Sequence, residues 1–306
     1  MSDGDEADKK SCCASCGITE VDNVKLVPCD DCDLVKYCSD ECQKDHRPKH
    51  KKECQKRAAE LHDEILFKQP ESSLLGDCPI CCLPIPLDPG KYYLNECCCK
   101  RICEGCNIAN KKREIEGRLQ FKCAFCRKAS PQTQDESNER TRKRVEANDP
   151  VALCFMGTKK YYDEGDYTAA FEYWSRAVAL GDVLAHFQLS TLYGEGKGVE
   201  KDEKKVVYHS EKAAIGGHPD ARYNLGFIEE KNGNKKRAAK HFIIAAKLGY
   251  DKSLANVKML YKDGYVSKED FAAALRGHQA AVDATRSPQR EFAAKFFAEI
   301  VGQPEN

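Results

Sequence analysis

Between Cys13 and Cys54 the chain places potential metal ligands at short, regular intervals: CASC, then CDDC, then CSDEC, then HKKEC. The candidates are Cys13, Cys16, Cys29, Cys32, Cys38, Cys42, His50 and Cys54. Two or three residues between ligands let one tight turn present both donors to one metal. Eight thiolate or imidazole donors fill two tetrahedral zinc sites with none left over. The stretch holds few side chains from which to build an apolar core, so metal has to supply its folding free energy, about 10–16 kcal/mol per structural site.

The cysteines are unevenly spread. Of 19, 18 lie before residue 127, and only Cys154 lies beyond. The two parts of the chain are therefore held together by different physics. The first residues, MSDGDEADKK, are polar and hold no apolar run that could act as a secretion signal. No stretch approaches the ~20 apolar residues of a membrane span. Reduced, metal-binding cysteines in an intracellular protein of the cytoplasm or nucleus are expected. A disulfide framework leaves His50 and the regular Cys-x2-Cys pairs unexplained. Formal net charge is zero, so no global field points to nucleic acid or membrane.

The spacing Cys13-x2-Cys16, Cys29-x2-Cys32, Tyr37-Cys38-Ser39, Cys42-Gln43, His46 and His50-Lys51-x2-Cys54 resembles the MYND zinc finger, over residues 11–68 with a trailing helix. The resemblance implies interleaved ligand pairs. One site would take Cys13, Cys16, Cys38 and Cys42, and the other Cys29, Cys32, His50 and Cys54. Sequential pairing satisfies the spacing equally. Cys12 competes with Cys13, which keeps the two-residue spacer. His46 reads as a packing or hydrogen-bonding residue. Arg47 stands where the family usually carries tryptophan. Residues 51–68 read as a helix with Leu61, Ile65 and Leu66 at helical spacing. From Gln43 to Arg57, seven Lys or Arg face only Asp45 and Glu53. Such a run is a solvated face or a surface for an acidic partner; without interleaved aromatics it does not read as a nucleic-acid site.

After a linker at 69–77, a second cysteine-rich module spans 78–128. Its clusters are Cys78-x2-Cys81, Cys97-Cys98-Cys99, Cys103-x2-Cys106 and Cys123-x2-Cys126. The pattern resembles a RING finger. The resemblance implies one site from Cys78, Cys81, Cys103 and Cys106, and another from Cys123, Cys126 and two of Cys97, Cys98 and Cys99. Poor chelation by adjacent residues favours Cys97 with Cys99, whereas the distance on to Cys103 favours Cys98. Cys82 is surplus and reads as a small apolar packing group. A RING ligase presents an apolar groove and a cation to a ubiquitin-conjugating enzyme. Ile80, Leu119, Phe121 and Arg127 suit that role, and Ala124 departs from the usual proline. Each of these residues also reads as ordinary core or surface.

Residues 129–148 read as a polar linker, in which TRKRVEAN can add a short helix. Asp149-Pro150 reads as a helix start, Asp capping and Pro leading. Self-similar units follow. Gly181, Gly217 and Gly249 are spaced by 36 and 32 residues. Ala152, Ala185 and Ala221 begin corresponding helices, with Met156, Leu189 and Leu225 four residues on. Each glycine reads as the C-cap of a second helix. The stretch LYGEGKGVEKDEKKVVYHSEKAAIGG, with Gly194, Gly196 and Gly198, resembles the SEL-one-like repeat, a relative of the tetratricopeptide repeat. No Gly-Lys-Ser/Thr follows these glycines, so they are a turn and not a phosphate loop. His186, His209, His218 and His241 share no ligand spacing and read as surface or packing residues. Three clear repeats and a degenerate fourth fill 149–283, and 284–306 reads as a capping helix led by Phe292, Phe296 and Phe297.

The fold class expected is small zinc-stabilised modules, MYND and RING-like, followed by an all-α helical-repeat solenoid, with four zinc ions. No residue is expected to do bond chemistry. The function expected is an intracellular scaffold or adaptor that binds peptides through the finger and proteins through the solenoid. The alternative is a RING-type ubiquitin ligase whose solenoid recruits substrate.

Overall fold

The computed structural model describes residues 12–20, 24–72 and 74–301, with side chains as far as Phe296. The chain divides into two compact units, the first ending at Lys68 and the second beginning at Gln69. No helix among the described residues is long and apolar enough to cross a membrane.

In the first unit β1 (Val27–Pro28) pairs antiparallel with β2 (Lys36–Tyr37), Val27 opposite Tyr37. Helix α1 (Asp40–Leu66) follows. It starts eleven residues before the helix expected at 51–68. The start is set by Ser39, whose hydroxyl accepts from the Cys42 amide, and by Asp40 and Glu41 in the first turn. Pro48 lies inside α1 and removes one amide donor without ending the helix. The early start has a consequence for ligation: Cys42, His50 and Cys54 all ride on one rigid element. Of the expected apolar positions Leu66 is buried, but Ile65 is 58% exposed.

The second unit opens with β3 (Tyr92–Asn95) and β4 (Lys100–Cys103), an antiparallel pair with Tyr92 opposite Cys103, and with α2 (Glu104–Glu116). The stretch 129–148, expected to be a linker with a short helix in TRKRVEAN, contains α3 (Gln134–Glu146), which begins seven residues before that segment. Apolar periodicity could not reveal this helix. Thr133 caps it by accepting from the Glu136 amide, Arg140 pairs with Glu136 one turn on, and only Thr141 and Val145 are buried.

Four helix pairs follow: α4 (Pro150–Tyr162) with α5 (Tyr167–Ala179), α6 (Val183–Glu195) with α7 (Glu203–Ile215), α8 (Pro219–Lys231) with α9 (Lys235–Lys247), and α10 (Asp251–Lys262) with α11 (Lys268–Ala284). Asp149 accepts from the Val151 and Ala152 amides ahead of Pro150. Gly181, Gly217 and Gly249 have φ of +86°, +87° and +89°. This left-handed backbone is open to glycine at little cost, and it turns the chain from each second helix into the next repeat.

The repeats share a size rule at the helix–helix contact. Gly157 of α4 and Gly226 of α8 occupy equivalent places, five residues after Ala152 and Ala221. A Cβ at Gly157 would lie 2.6 Å from the Trp174 ring, and one at Gly226 would lie 2.5 Å from Phe242. Trp174 and Phe242 are themselves equivalent, each seven residues before its turn glycine. In the middle repeat both places hold serine, Ser190 and Ser210, and both are buried. Large against absent and small against small fill the same space. One core gathers around Trp174, Leu153, Leu189 and Leu192, and another around Phe242, Val257 and Leu260.

The last helix, α12 (Pro288–Val301), packs on α2. The expected capping role for Phe292, Phe296 and Phe297 is revised for the first two. Both are more than two-fifths exposed, and Lys112 of α2 sits 4.9 Å from the centre of the Phe292 ring. The side chain of Phe297 lies outside the described residues. Among the described side chains of this helix, Ala293 is the buried one.

Candidate metal centres

One backbone device recurs at four of the five Cys-x2-Cys pairs, Cys103 and Cys106 being set instead by the start of α2. The first cysteine's amide donates to a carbonyl beyond the pair: Cys13 to Ile18, Cys29 to Val35, Cys78 to Leu83 and Cys123 to Lys128, each at 2.8–2.9 Å. The amide four residues on donates back to that cysteine's carbonyl, from Gly17, Asp33, Cys82 and Arg127. These four residues have left-handed φ of +77°, +56°, +55° and +62°. The turn aims both sulfurs to one side. It also gives Cys82 a place: it is exposed at the turn and is not the packed apolar group expected.

The donors gather into four groups, each with ligand atoms within 4.8 Å of one another: Cys13, Cys16, Cys38 and Cys42; Cys29, Cys32, His50 and Cys54; Cys78, Cys81, Cys103 and Cys106; Cys97, Cys98, Cys123 and Cys126. The pairs interleave in both modules. Helix α1 serves two groups, giving Cys42 to the first and, one turn apart, His50 and Cys54 to the second. A tetrahedron with Zn–S bonds of about 2.3 Å has S···S edges of about 3.8 Å. Across the clusters Cys16–Cys38 is 3.5 Å, Cys29–Cys54 3.8 Å, Cys81–Cys103 3.8 Å and Cys98–Cys123 3.9 Å. His50 Nε2 lies 3.1 Å from Cys32 Sγ. His46 stays outside, stacked on His50, its Nδ1 bonded to the Tyr37 hydroxyl at 3.1 Å.

Of the three consecutive cysteines, adjacent Cys97 and Cys98 meet Cys126 and Cys123. Cys99, also expected as a possible ligand, turns away. Its amide closes a turn on Asn95, its φ is +51°, and its buried side chain joins the Trp174 core near Arg144. The expected obstacle to adjacent ligands is met by splitting the pair across the group, Cys97 beside Cys126 and Cys98 beside Cys123.

The surroundings of Cys78 and Cys13 favour the thiolate form. Cys78 is pulled down to about 4, first by the Cys103 thiol, and further by backbone amides of Cys81 and Cys103. At Cys13, burial raises the thiol, but the amides of Cys16, Cys38 and Ser15 outweigh it and bring it to about 6. Burial pushes Cys54 and Cys106 up to about 12 and Cys98 to about 11. Zinc binds thiolates, so loading these groups expels the protons that such thiols hold.

Residues 13–54 match the MYND finger family, and residues 150–182, 183–218 and 219–250 match the Sel1 repeat. This chain carries a MYND finger followed by Sel1 repeats. Zinc binding follows from the finger and its donor groups. Both kinds of module mediate contacts between proteins. Among curated relatives, chitin synthase regulatory factor 4 of Schizosaccharomyces pombe is 27% identical over 29% of this chain and 14% of its own length. DAP3-binding cell death enhancer 1 of Mus musculus is 23% identical over 46% of this chain and 35% of its own. The chain thus spans about a third or less of the curated relatives it matches. Solved structures that match parts of the chain include c5321, a protective antigen of uropathogenic Escherichia coli displaying an SLR fold. It is 20% identical with a TM-score of 0.42 and covers 54% of this chain and 37% of that one. A Sel1 repeat protein from Oxalobacter formigenes is 24% identical with a TM-score of 0.37, covering 40% and 97%.

The residues expected to contact a conjugating enzyme include one groove-lining side chain. Phe121 lines a groove with Tyr93, Asn110, Glu114 and Ile115, whereas Ile80 and Leu119 do not line it. Arg127 bonds Asn110 Oδ1 at 2.7 Å and pairs with Glu114 at 3.2 Å. Glu114, missed by sequence reasoning, is almost fully buried and also accepts from the Asn110 side-chain amide. It ties α2 to the knuckle that carries Cys123 and Cys126.

Proposed function

We propose that this protein is an intracellular zinc-dependent adaptor in which the MYND finger captures acidic peptide segments and the repeats hold a second protein. Four zinc ions, one per donor group, keep the two cysteine-rich modules in shape. The carrying observation is a groove of about 590 Å³ beside the second donor group, bordered by Tyr37, Gln43, Lys44, Arg47 and Lys51. All three cations are exposed, and Asp31 is the sole carboxylate lining it. Arginine in the place of the family's tryptophan changes the preference from an apolar to a carboxylate-bearing peptide. On the repeats, exposed Tyr162, Tyr208 and Phe227 offer aromatic contacts to the second partner.

The ligase reading draws less support. The Arg127 guanidinium is engaged by Asn110 and Glu114, and Ile80 is not among the residues that line the Phe121 groove.

A labelled peptide alternating glutamate with proline tests the adaptor reading by fluorescence anisotropy. It should bind the full chain more tightly than its glutamine counterpart, and less so at high salt. Arg47→Glu should weaken it about tenfold, the scale of one reversed contact at a charged rim. Equal affinity for the two peptides, or indifference to Arg47→Glu, would overturn the reading.

A further inference from the structure

The third donor group, Cys78, Cys81, Cys103 and Cys106, receives a residue from the far end of the chain. Arg290, in the first turn of α12, points its guanidinium at the Cys78–Cys81 knuckle. Nη2 donates to Cys81 Sγ at 3.4 Å and to the Leu83 carbonyl at 3.2 Å. Nη1 donates to the Pro84 carbonyl at 2.7 Å and to the Thr285 carbonyl, at the end of α11, at 2.8 Å. The Leu83 carbonyl also accepts from the Cys78 amide, so one oxygen links a ligand's backbone to the arginine. Among the described residues no carboxylate lies within ion-pair distance of Arg290. Its seat is close-fitting: a Cβ on Gly105, beside Cys106, would lie 3.0 Å from the Arg290 Cα and backbone nitrogen and 2.9 Å from its Cγ.

Four thiolates around one divalent zinc leave a dianion, which charge-assisted donors stabilise. A planar fork suits this knuckle because its two terminal nitrogens share out a sulfur and two carbonyls, whereas an ammonium donates from a single nitrogen. We propose that Arg290 is the outer positioning residue of the third zinc centre, so that metal retention there and docking of α12 are one linked equilibrium. A partner that lifted α12 would loosen that one zinc ion; loss of that ion would release α12. The inference rests on the third group being a zinc site.

Timed alkylation of the full chain by a maleimide, with cysteines mapped by peptide mass, tests this under a limiting chelator. In the unsubstituted protein all four groups should be protected. Arg290→Gln should expose Cys78, Cys81, Cys103 and Cys106 about 10–100-fold sooner, the scale of lost outer-sphere contacts. The other three groups should keep their rates, which shows that the variant is folded. Arg290→Lys should fall between, because it keeps the charge and loses the fork. Gly105→Val, which displaces α12 while leaving the guanidinium intact, should reproduce Arg290→Gln. Unchanged rates at these four cysteines in both Arg290→Gln and Gly105→Val would overturn the coupling. Reactivity of the four cysteines in the unsubstituted protein before any chelator would instead overturn the zinc reading beneath it.

Discussion

Chelating zinc should unfold residues 12–68 as one step and leave the repeats helical. The reason lies in what the first unit buries. Its core cluster is Cys13, Leu26, Cys29, Cys32 and Tyr37, so without the cysteines two buried side chains of that cluster remain. So few apolar side chains cannot offset the entropy lost in ordering this backbone. Zinc has to supply the difference, at about 10–16 kcal/mol per structural site. The repeats bury Trp174, Phe242, Leu153 and Leu260 among many alanines, with no donor group inside those cores. Far-ultraviolet circular dichroism should therefore lose the share belonging to α1 and retain that of α4 to α11. Near-complete loss of helix on chelation would show that metal also holds the solenoid. Retention of α1 in metal-free protein would contradict the argument for the finger.

The second large effect is expected from Trp174→Ala. Trp174 is 1% exposed, its indole nitrogen donates to the Cys154 carbonyl at 3.1 Å, and it fills the space that Gly157 leaves open. Truncation opens a cavity with glycine on its far side, which cannot collapse to fill it. The cost is about 3–5 kcal/mol. For a unit of this size each kcal/mol lowers the melting temperature by about 2–4 °C, so a fall of about 6–20 °C is expected in a thermal scan. Ser210→Ala, the equivalent place in the middle repeat, should shift it far less. Equal shifts would show that the large-against-absent pairing at Gly157 carries no special weight.

The chemistry of individual residues was legible in the sequence wherever it depends on near neighbours. Cys-x2-Cys spacing finds the sulfurs because one turn positions both, and turn glycines mark the repeats because few residues tolerate left-handed backbone there. What the sequence hid depends on distant packing. Nothing within Cys97-Cys98-Cys99 says which cysteine turns away, because Cys99 is drawn off by a core built from residues between Val145 and Leu192. Helix α3 is held by Thr133 and by charge pairs, and those leave no apolar period. The boundary between the compact units falls at 68/69, between the two cysteine-rich modules. The seat of Arg290 against Gly105 joins positions 185 residues apart, beyond any local pattern.

The central claim is that four interleaved donor groups grip zinc in place of an apolar interior in the cysteine-rich modules. Native mass spectrometry of the purified, folded chain measures this most directly. The predicted mass exceeds the sequence mass by four zinc ions, less the protons displaced from the thiols. A folded chain that flew at its bare sequence mass would contradict the claim.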